Sequence, residues 1–185
     1  MTSMSKKAFV PLFLVLLFVN PWVEALDFRN PLPFMFSHYA LFISGFLFSS
    51  WYFKKTIKWA WVFSVFVAAL WHTPYFFSVS ATNLVYRALE ESTLFLGGFS
   101  AGFSVPSKSG VFKATLFGLW VLSDTVLSVI FLVNPKLYTD YPPYSPSELQ
   151  IVGVAMILFM NVIVAIVIYL YTKSVYATLG EKAID

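Results

Sequence analysis

The sequence predicts an all-α fold, a polytopic bundle of membrane helices that forms one domain over residues 1–185. Hydrophobic residues make up 59% of the chain and charged residues only 11%, whereas a soluble domain carries about 25% charged residues. The chain also contains six apolar runs, most of them long enough to cross a bilayer as a helix. The alternating segments of about ten residues that a transmembrane barrel requires are not seen.

The first apolar run has two interpretations. Lys6 and Lys7 precede the run 8–19, and Trp22-Val23-Glu24-Ala25 follows it. A basic start, an apolar centre and a Val-x-Ala site are typical of a cleaved signal peptide. The same residues also suit a short first span that is anchored by its tryptophan. We expect the retained span, which gives six transmembrane helices; cleavage of residues 1–25 would leave five.

The other five apolar runs are separated by short polar connections that contain lysine, proline or serine. Residues 26–33 and 78–83 are two of these connections, and the longest, residues 134–148, is rich in proline and tyrosine. The predicted spans are residues 34–53, 59–77, 84–105, 111–133 and 149–171.

The distribution of basic residues predicts the orientation, because cytoplasmic loops carry an excess of lysine and arginine. With the N-terminus inside, three basic residues lie on the outer side: Arg29, Arg87 and Lys136. The inner side then holds Lys6, Lys7, Lys54, Lys55, Lys58, Lys108, Lys113, Lys173 and Lys182. We therefore expect a multi-pass protein of the cell membrane with both termini in the cytoplasm.

Several classes of chemistry find no support in the sequence. The chain has no cysteine, which excludes disulfides, thiolate metal sites, iron–sulfur clusters and thiol redox chemistry. It shows no nucleophile-elbow pattern and no glycine-rich phosphate loop. A non-catalytic role without nucleic-acid binding is the expectation.

Titratable residues cluster at one depth of the predicted bundle. His38 and His72 lie about five residues from the outer ends of their runs, which places both roughly 8 Å deep at ~1.5 Å per residue. Glu90 and Glu91 lie roughly 10 Å deep and Asp124 roughly 15 Å deep. Ionisable groups inside a membrane are costly and usually functional. A shared site near the outer face is therefore one hypothesis.

Each of these residues also has a structural interpretation. A histidine in a helix can be hydrogen-bonded within the bundle. Arg87 and Glu91 are spaced i,i+4 and can pair with each other. Asp124 can bond the hydroxyls of Ser123 and Thr125 beside it. These alternatives remain open at the level of the sequence.

The residue types favour a metal site. Imidazole binds copper, zinc, iron and nickel, and a carboxylate can complete the coordination. His38, His72 and Glu91 are the predicted metal ligands, and the thioether of Met35 favours Cu(I). Two alternatives remain. The two histidines could be the axial ligands of a b-type haem whose propionate meets Arg87, or histidine and glutamate could bond the carbonyls of a quinone.

Short motifs mark residues 30–105: Asn30-Pro31, His38-Tyr39 and Gly45-Phe46; Trp71-His72-Thr73-Pro74; Arg87, Glu91-Ser92 and Gly97-Gly98. This layout resembles a group of uncharacterised archaeal integral membrane proteins, which look like distant relatives of the assembly factors of caa3-type cytochrome oxidases. The resemblance implies copper delivery, with His38, His72 and Glu91 as the functional set.

The functional expectation follows from the candidate ligands and from the resemblance. We expect a non-catalytic accessory protein or subunit of a copper- or haem-dependent membrane oxidase or oxygenase complex. Its partners would be the lipid bilayer and other membrane subunits. The alternatives are a purely structural membrane subunit without a cofactor, and a membrane protein that binds b-type haem or quinone.

Overall fold

The computed structural model describes residues 2–53, 56–139 and 144–182, and these residues form helices joined by short connections. The all-α prediction is confirmed over this part of the chain. Short 3-10 turns cover Val105–Ser107 and Pro135–Tyr138. The α-helices are α1 (Thr2–Phe18), α2 (Pro21–Asp27), α3 (Pro31–Tyr52), α4 (Ala60–Trp71), α5 (Pro74–Thr82), α6 (Leu84–Ser104), α7 (Gly110–Val133) and α8 (Pro146–Lys182).

Asparagine caps begin three of these helices. The side-chain oxygens of Asn20, Asn30 and Asn83 accept hydrogen bonds from backbone N–H groups in the first turns of α2, α3 and α6. Pro21 and Pro31 follow two of the caps, where a missing N–H costs nothing. The predicted connection 26–33 therefore shrinks to a few residues, because α2 fills its beginning and α3 its end.

Among the described residues, three to five helices are long and apolar enough to cross a membrane. α3, α7 and the first 31 residues of α8, Pro146–Tyr176, are long and apolar enough. Two bent pairs each count as a further span if the pair crosses as one unit: Phe9–Phe18 with α2, bent by 54°, and α4 with α5, bent by 73°. The six predicted spans are not confirmed. α6 carries three charged residues near its beginning and does not meet the same criterion.

The predicted span 59–77 is not one straight helix. α4 ends at Trp71, and α5 begins at Pro74 and continues to Thr82, through residues predicted to be a loop. Proline disfavours a helical conformation in the residue before it, and Thr73 is extended with ψ of 148°. The sharp bend therefore has a local cause, and it places His72 at a corner between two helices.

α3 and α6 run parallel and pack closely through glycine. A Cβ atom at Gly98 would clash with the carbonyl oxygen of Phe42, and one at Gly45 would clash with the carbonyl oxygen of Phe95. Such contacts let two helix backbones approach in a membrane. Small residues therefore form the face of α6 that packs on α3, and Gly97 on the same helix meets both the Phe42 ring of α3 and Val67 of α4.

An aromatic core closes one end of the bundle. Phe77 is fully buried, and its ring centroid lies 5.2 Å from that of Phe34 and 5.7 Å from that of Phe131. Tyr138 and Tyr144, both within the connection between α7 and α8, belong to the same cluster. This core packs α3, α5, α7 and α8 against one another next to the predicted polar site.

Some of the lysines that predict the orientation lie outside the described part of the chain. These are Lys54 and Lys55, together with the side chains of Lys6, Lys7 and Lys182. Lys58 and Lys113 are exposed at the end of the bundle opposite the aromatic core. The orientation with both termini in the cytoplasm stays a prediction.

Candidate functional site

The candidate site lies where α3, α6 and the corner between α4 and α5 meet. His38 on α3 and Glu90 on α6 are buried, and Nε2 of His38 lies 2.5 Å from Oε1 of Glu90. The imidazole of His72 lies beside that of His38, with ring centroids 5.7 Å apart and planes tilted by 52°. The fold therefore brings together two histidines that are 34 residues apart in the sequence.

In each imidazole, one nitrogen has a hydrogen-bond partner and the other has none among the described residues. Nδ1 of His72 lies 2.6 Å from the carbonyl oxygen of Ala68. A carbonyl only accepts hydrogen bonds, so Nδ1 carries the proton and Nε2 keeps its lone pair. Nε2 of His38 lies within hydrogen-bond distance of the Glu90 carboxyl group, and when Nε2 is the donor, the lone pair is on Nδ1. Both remaining nitrogens are buried without a partner among the described residues.

Glu90, and not the predicted Glu91, reaches the histidines. Neighbouring residues of a helix point about 100° apart, so only one of the two carboxylates can face α3 at this level. The carboxyl group of Glu91 meets that of Glu24 on α2 instead. The sequence did contain a signal for the correct residue, because Glu90 shares the i+3/i+4 stripe of the buried residues Arg87, Leu94, Gly97 and Ala101.

Arg87 does not pair with Glu91, the partner that the i,i+4 spacing predicts. Its Nη1 lies 3.6 Å from Oδ2 of Asp27, and its Nε donates to the carbonyl oxygen of Ser80 at 3.1 Å. The guanidinium carbon lies 3.9 Å from the ring centroid of Phe34, in cation–π geometry. The i,i+4 pairing of Arg87 with Glu91 is therefore replaced by an ion pair with α2.

Asp27 is a buried residue of this end of the bundle that the sequence placed in a polar connection. It is 0% exposed and accepts a hydrogen bond from the hydroxyl of Ser37 at 2.9 Å. The hydroxyl of Tyr144 donates to the backbone carbonyl of Asp27. Burial raises the pKa of the Tyr144 phenol, which keeps this donor protonated. No spacing signal could have found Asp27, because its partners are distant in the sequence.

Asp124 forms a separate pair. Its Oδ2 accepts a hydrogen bond from the hydroxyl of Tyr39 at 2.7 Å. The hydroxyl of Thr125, predicted as a partner, donates to the carbonyl oxygen of Val121 instead. Asp124 therefore fixes α7 against α3 beside His38, and its hydrogen bond goes to Tyr39.

The surroundings of the two histidines are tightly packed. Met35, one turn before His38 on α3, is 1% exposed within the aromatic core. A cavity of about 460 Å³ between α1, α3 and α6 is lined by Glu91 and by neither histidine. In the part of the chain that the structure describes, no group of three or more histidine and acidic side chains is arranged to hold a metal ion.

A family model described as a protein of unknown function, DUF1404, matches residues 9–174. The chain belongs to this family. No curated protein and no solved structure matches the chain. The DUF1404 match spans α2 to α7 in full, so His38, His72 and Glu90 all lie within the family's domain. The predicted kinship with oxidase assembly factors stays a prediction.

Proposed function

We propose that this DUF1404 protein is a non-catalytic membrane accessory protein that holds one copper(I) ion between His38 and His72. The observation that carries the proposal is the state of the four ring nitrogens. Each imidazole has one nitrogen in contact with a carboxyl or carbonyl oxygen, and one buried nitrogen that has no partner among the described residues. Two lone pairs on adjacent rings are what a metal ion needs.

The hydrogen bonds around the two rings support this proposal. A histidine that binds a metal usually donates its other N–H to a carboxylate or to a backbone carbonyl, which fixes the tautomer and the ring orientation. Glu90 supplies the carboxylate for His38, and the carbonyl of Ala68 does the same for His72. The role of Glu90 would then be to position a ligand, and Glu91 would take no part in the site.

The number and type of ligands favour copper(I) over zinc. Zinc sites in proteins use three or four side-chain ligands, whereas copper(I) is stable with two imidazoles. The buried thioether of Met35 lies one helical turn from His38, and thioethers select copper(I). A b-type haem is supported less well, because the two rings pack 5.7 Å apart and the 460 Å³ cavity is lined by neither.

The partner in this proposal is a larger membrane complex. A copper ion held near one face of the bilayer can be passed to a copper-dependent oxidase or oxygenase, as the resemblance of the sequence implies. The excess of nine basic residues over three supports an outer-face site with both termini in the cytoplasm. The surrounding lipid is the other partner.

A structural membrane subunit without a cofactor is the second candidate. It is favoured by the His38–Glu90 hydrogen bond, which already pairs two buried side chains without any ion. Copper stoichiometry separates the two functions. The purified protein should retain about one copper(I) per chain after anaerobic loading and removal of excess metal, with nitrogen ligands in its X-ray absorption spectrum. Loading that leaves no bound copper would favour the structural subunit.

A further inference from the structure

The cavity between α1, α3 and α6 has the size and the walls of a binding site for an apolar chain. Its volume of about 460 Å³ falls in the range of ligand pockets, roughly 300–1,000 Å³. Most of its lining is apolar, including Pro11 and Val15 of α1, Leu41 and Phe48 of α3 and Phe95 of α6. The hydroxyl proton of the lining residue Ser44 is already engaged, because it is donated to the backbone carbonyl of Pro11 on α1 at 2.7 Å.

A carboxyl pair gives this apolar cavity a polar end. Glu91 lines the cavity, and its carboxyl group lies beside that of Glu24 of α2. Both oxygens of Glu24 and Oε1 of Glu91 are buried, and these three oxygens have no hydrogen-bond partner among the described residues. The neighbouring cation, Arg87, is already paired with Asp27.

We propose that this cavity binds a membrane lipid with a primary ammonium head group. One acyl chain fills the groove between α1, α3 and α6, and the ammonium binds the Glu24–Glu91 pair. A primary ammonium carries three N–H donors, which matches the three partnerless oxygens, and its positive charge suits two adjacent acidic side chains.

The level of the carboxyl pair in the bilayer fits this occupant. Trp22, two residues before Glu24, is 83% exposed. Exposed tryptophan is typical of the membrane–water interface, where head groups lie. The lipid site uses none of the atoms of the copper site, so the two proposals stand or fall separately.

Native mass spectrometry of the full chain tests the proposal with two lipids of identical acyl chains. Phosphatidylethanolamine offers three N–H donors, whereas phosphatidylcholine has the same charge and none. The protein should retain one phosphatidylethanolamine with a preference of about tenfold or more over phosphatidylcholine. Glu24→Gln with Glu91→Gln should reduce the preference to below about twofold. Equal retention of the two lipids, or an unchanged preference in the double variant, would overturn the proposal.

If the carboxyl variants do not fold, a second pair of variants tests the proposal. Val15→Trp fills the cavity from α1 and should abolish retention of the lipid. Leu16→Trp adds the same side chain at a position that is 62% exposed and should leave retention unchanged. Retention by Val15→Trp, or displacement of phosphatidylethanolamine by an isoprenoid quinol, would place a different ligand in the cavity and overturn the proposal.

Discussion

The parallel helix pair α3 and α6 differs between its two halves. In the first half, the contact is an ionisable one, His38 with Glu90. In the second half the contact is neutral: the hydroxyl of Ser49 donates to the carbonyl oxygen of Phe99 at 2.6 Å, and Gly102 packs against the α3 backbone. Glycine and serine join the helices there without an ionisable side chain. Ionisable groups inside a membrane are costly and usually functional, so we infer that the ionisable contact of the first half serves a function.

We expect the largest loss of stability from a variant of the neutral glycine packing between α3 and α6. Gly98→Leu places a side chain where a single Cβ already clashes with the backbone of Phe42. We expect a loss of about 3 kcal/mol or more in the free energy of unfolding, or no folded protein. Equilibrium unfolding in mixed micelles and the yield of monodisperse protein measure this.

Gly118→Leu is the matched control for that variant. A Cβ atom at Gly118 on α7 meets nothing within 4 Å, so the same substitution should change the free energy of unfolding by less than about 0.5 kcal/mol. Equal losses at both glycines would show that leucine disturbs any helix of this protein, and the packing argument would fail.

The ionisable contact should give the next largest effect. Glu90→Ala removes the partner of a buried imidazole and leaves its N–H unsatisfied. This should cost about 2–3 kcal/mol in the free energy of unfolding. Glu91→Ala, one residue along the helix, leaves the histidines untouched and should cost less than about 1 kcal/mol. Reversed magnitudes would assign the contact with α3 to Glu91.

These two glutamates also show what the sequence could and could not predict. The helical class and the proximity of His38 to His72 follow from apolar run lengths and from counting residues along helices. The choice between Glu90 and Glu91 depends on the rotation of α6 about its axis, which packing against α3 decides. A periodic stripe of buried residues on α6 was the available signal.

Two other differences have physical causes of their own. Pro74 breaks the third predicted span, and a bend of 73° is larger than a proline signal by itself predicts. Asp27 was expected in a polar connection because sequence patterns that consider only nearby residues give it no partner. Its ion pair with Arg87 joins residues 60 positions apart in the sequence, and only the complete fold brings them together.

The smallest effect concerns Tyr39, beside the ionisable contact. Tyr39→Phe deletes the hydroxyl that donates to Asp124 and leaves the ring in place. The free energy of unfolding should fall by about 1–2 kcal/mol, as for a hydrogen bond to a charged group. Tyr169→Phe removes an exposed hydroxyl on α8 and should have no measurable effect. An equal fall in the free energy of unfolding for both variants would show that the hydrogen bond between Tyr39 and Asp124 does not stabilise the fold.

Copper binding in a double-mutant cycle tests the central claim most directly. His38→Ala and His72→Ala, each purified and loaded anaerobically, should both lose most of the copper(I) that the unchanged protein retains. The double variant should lose little more, because members of one site are not additive. Glu90→Gln should weaken binding about 10–100-fold while Glu91→Gln leaves it unchanged. Additive losses of stability with no change in bound copper would contradict a shared site and leave a structural membrane subunit.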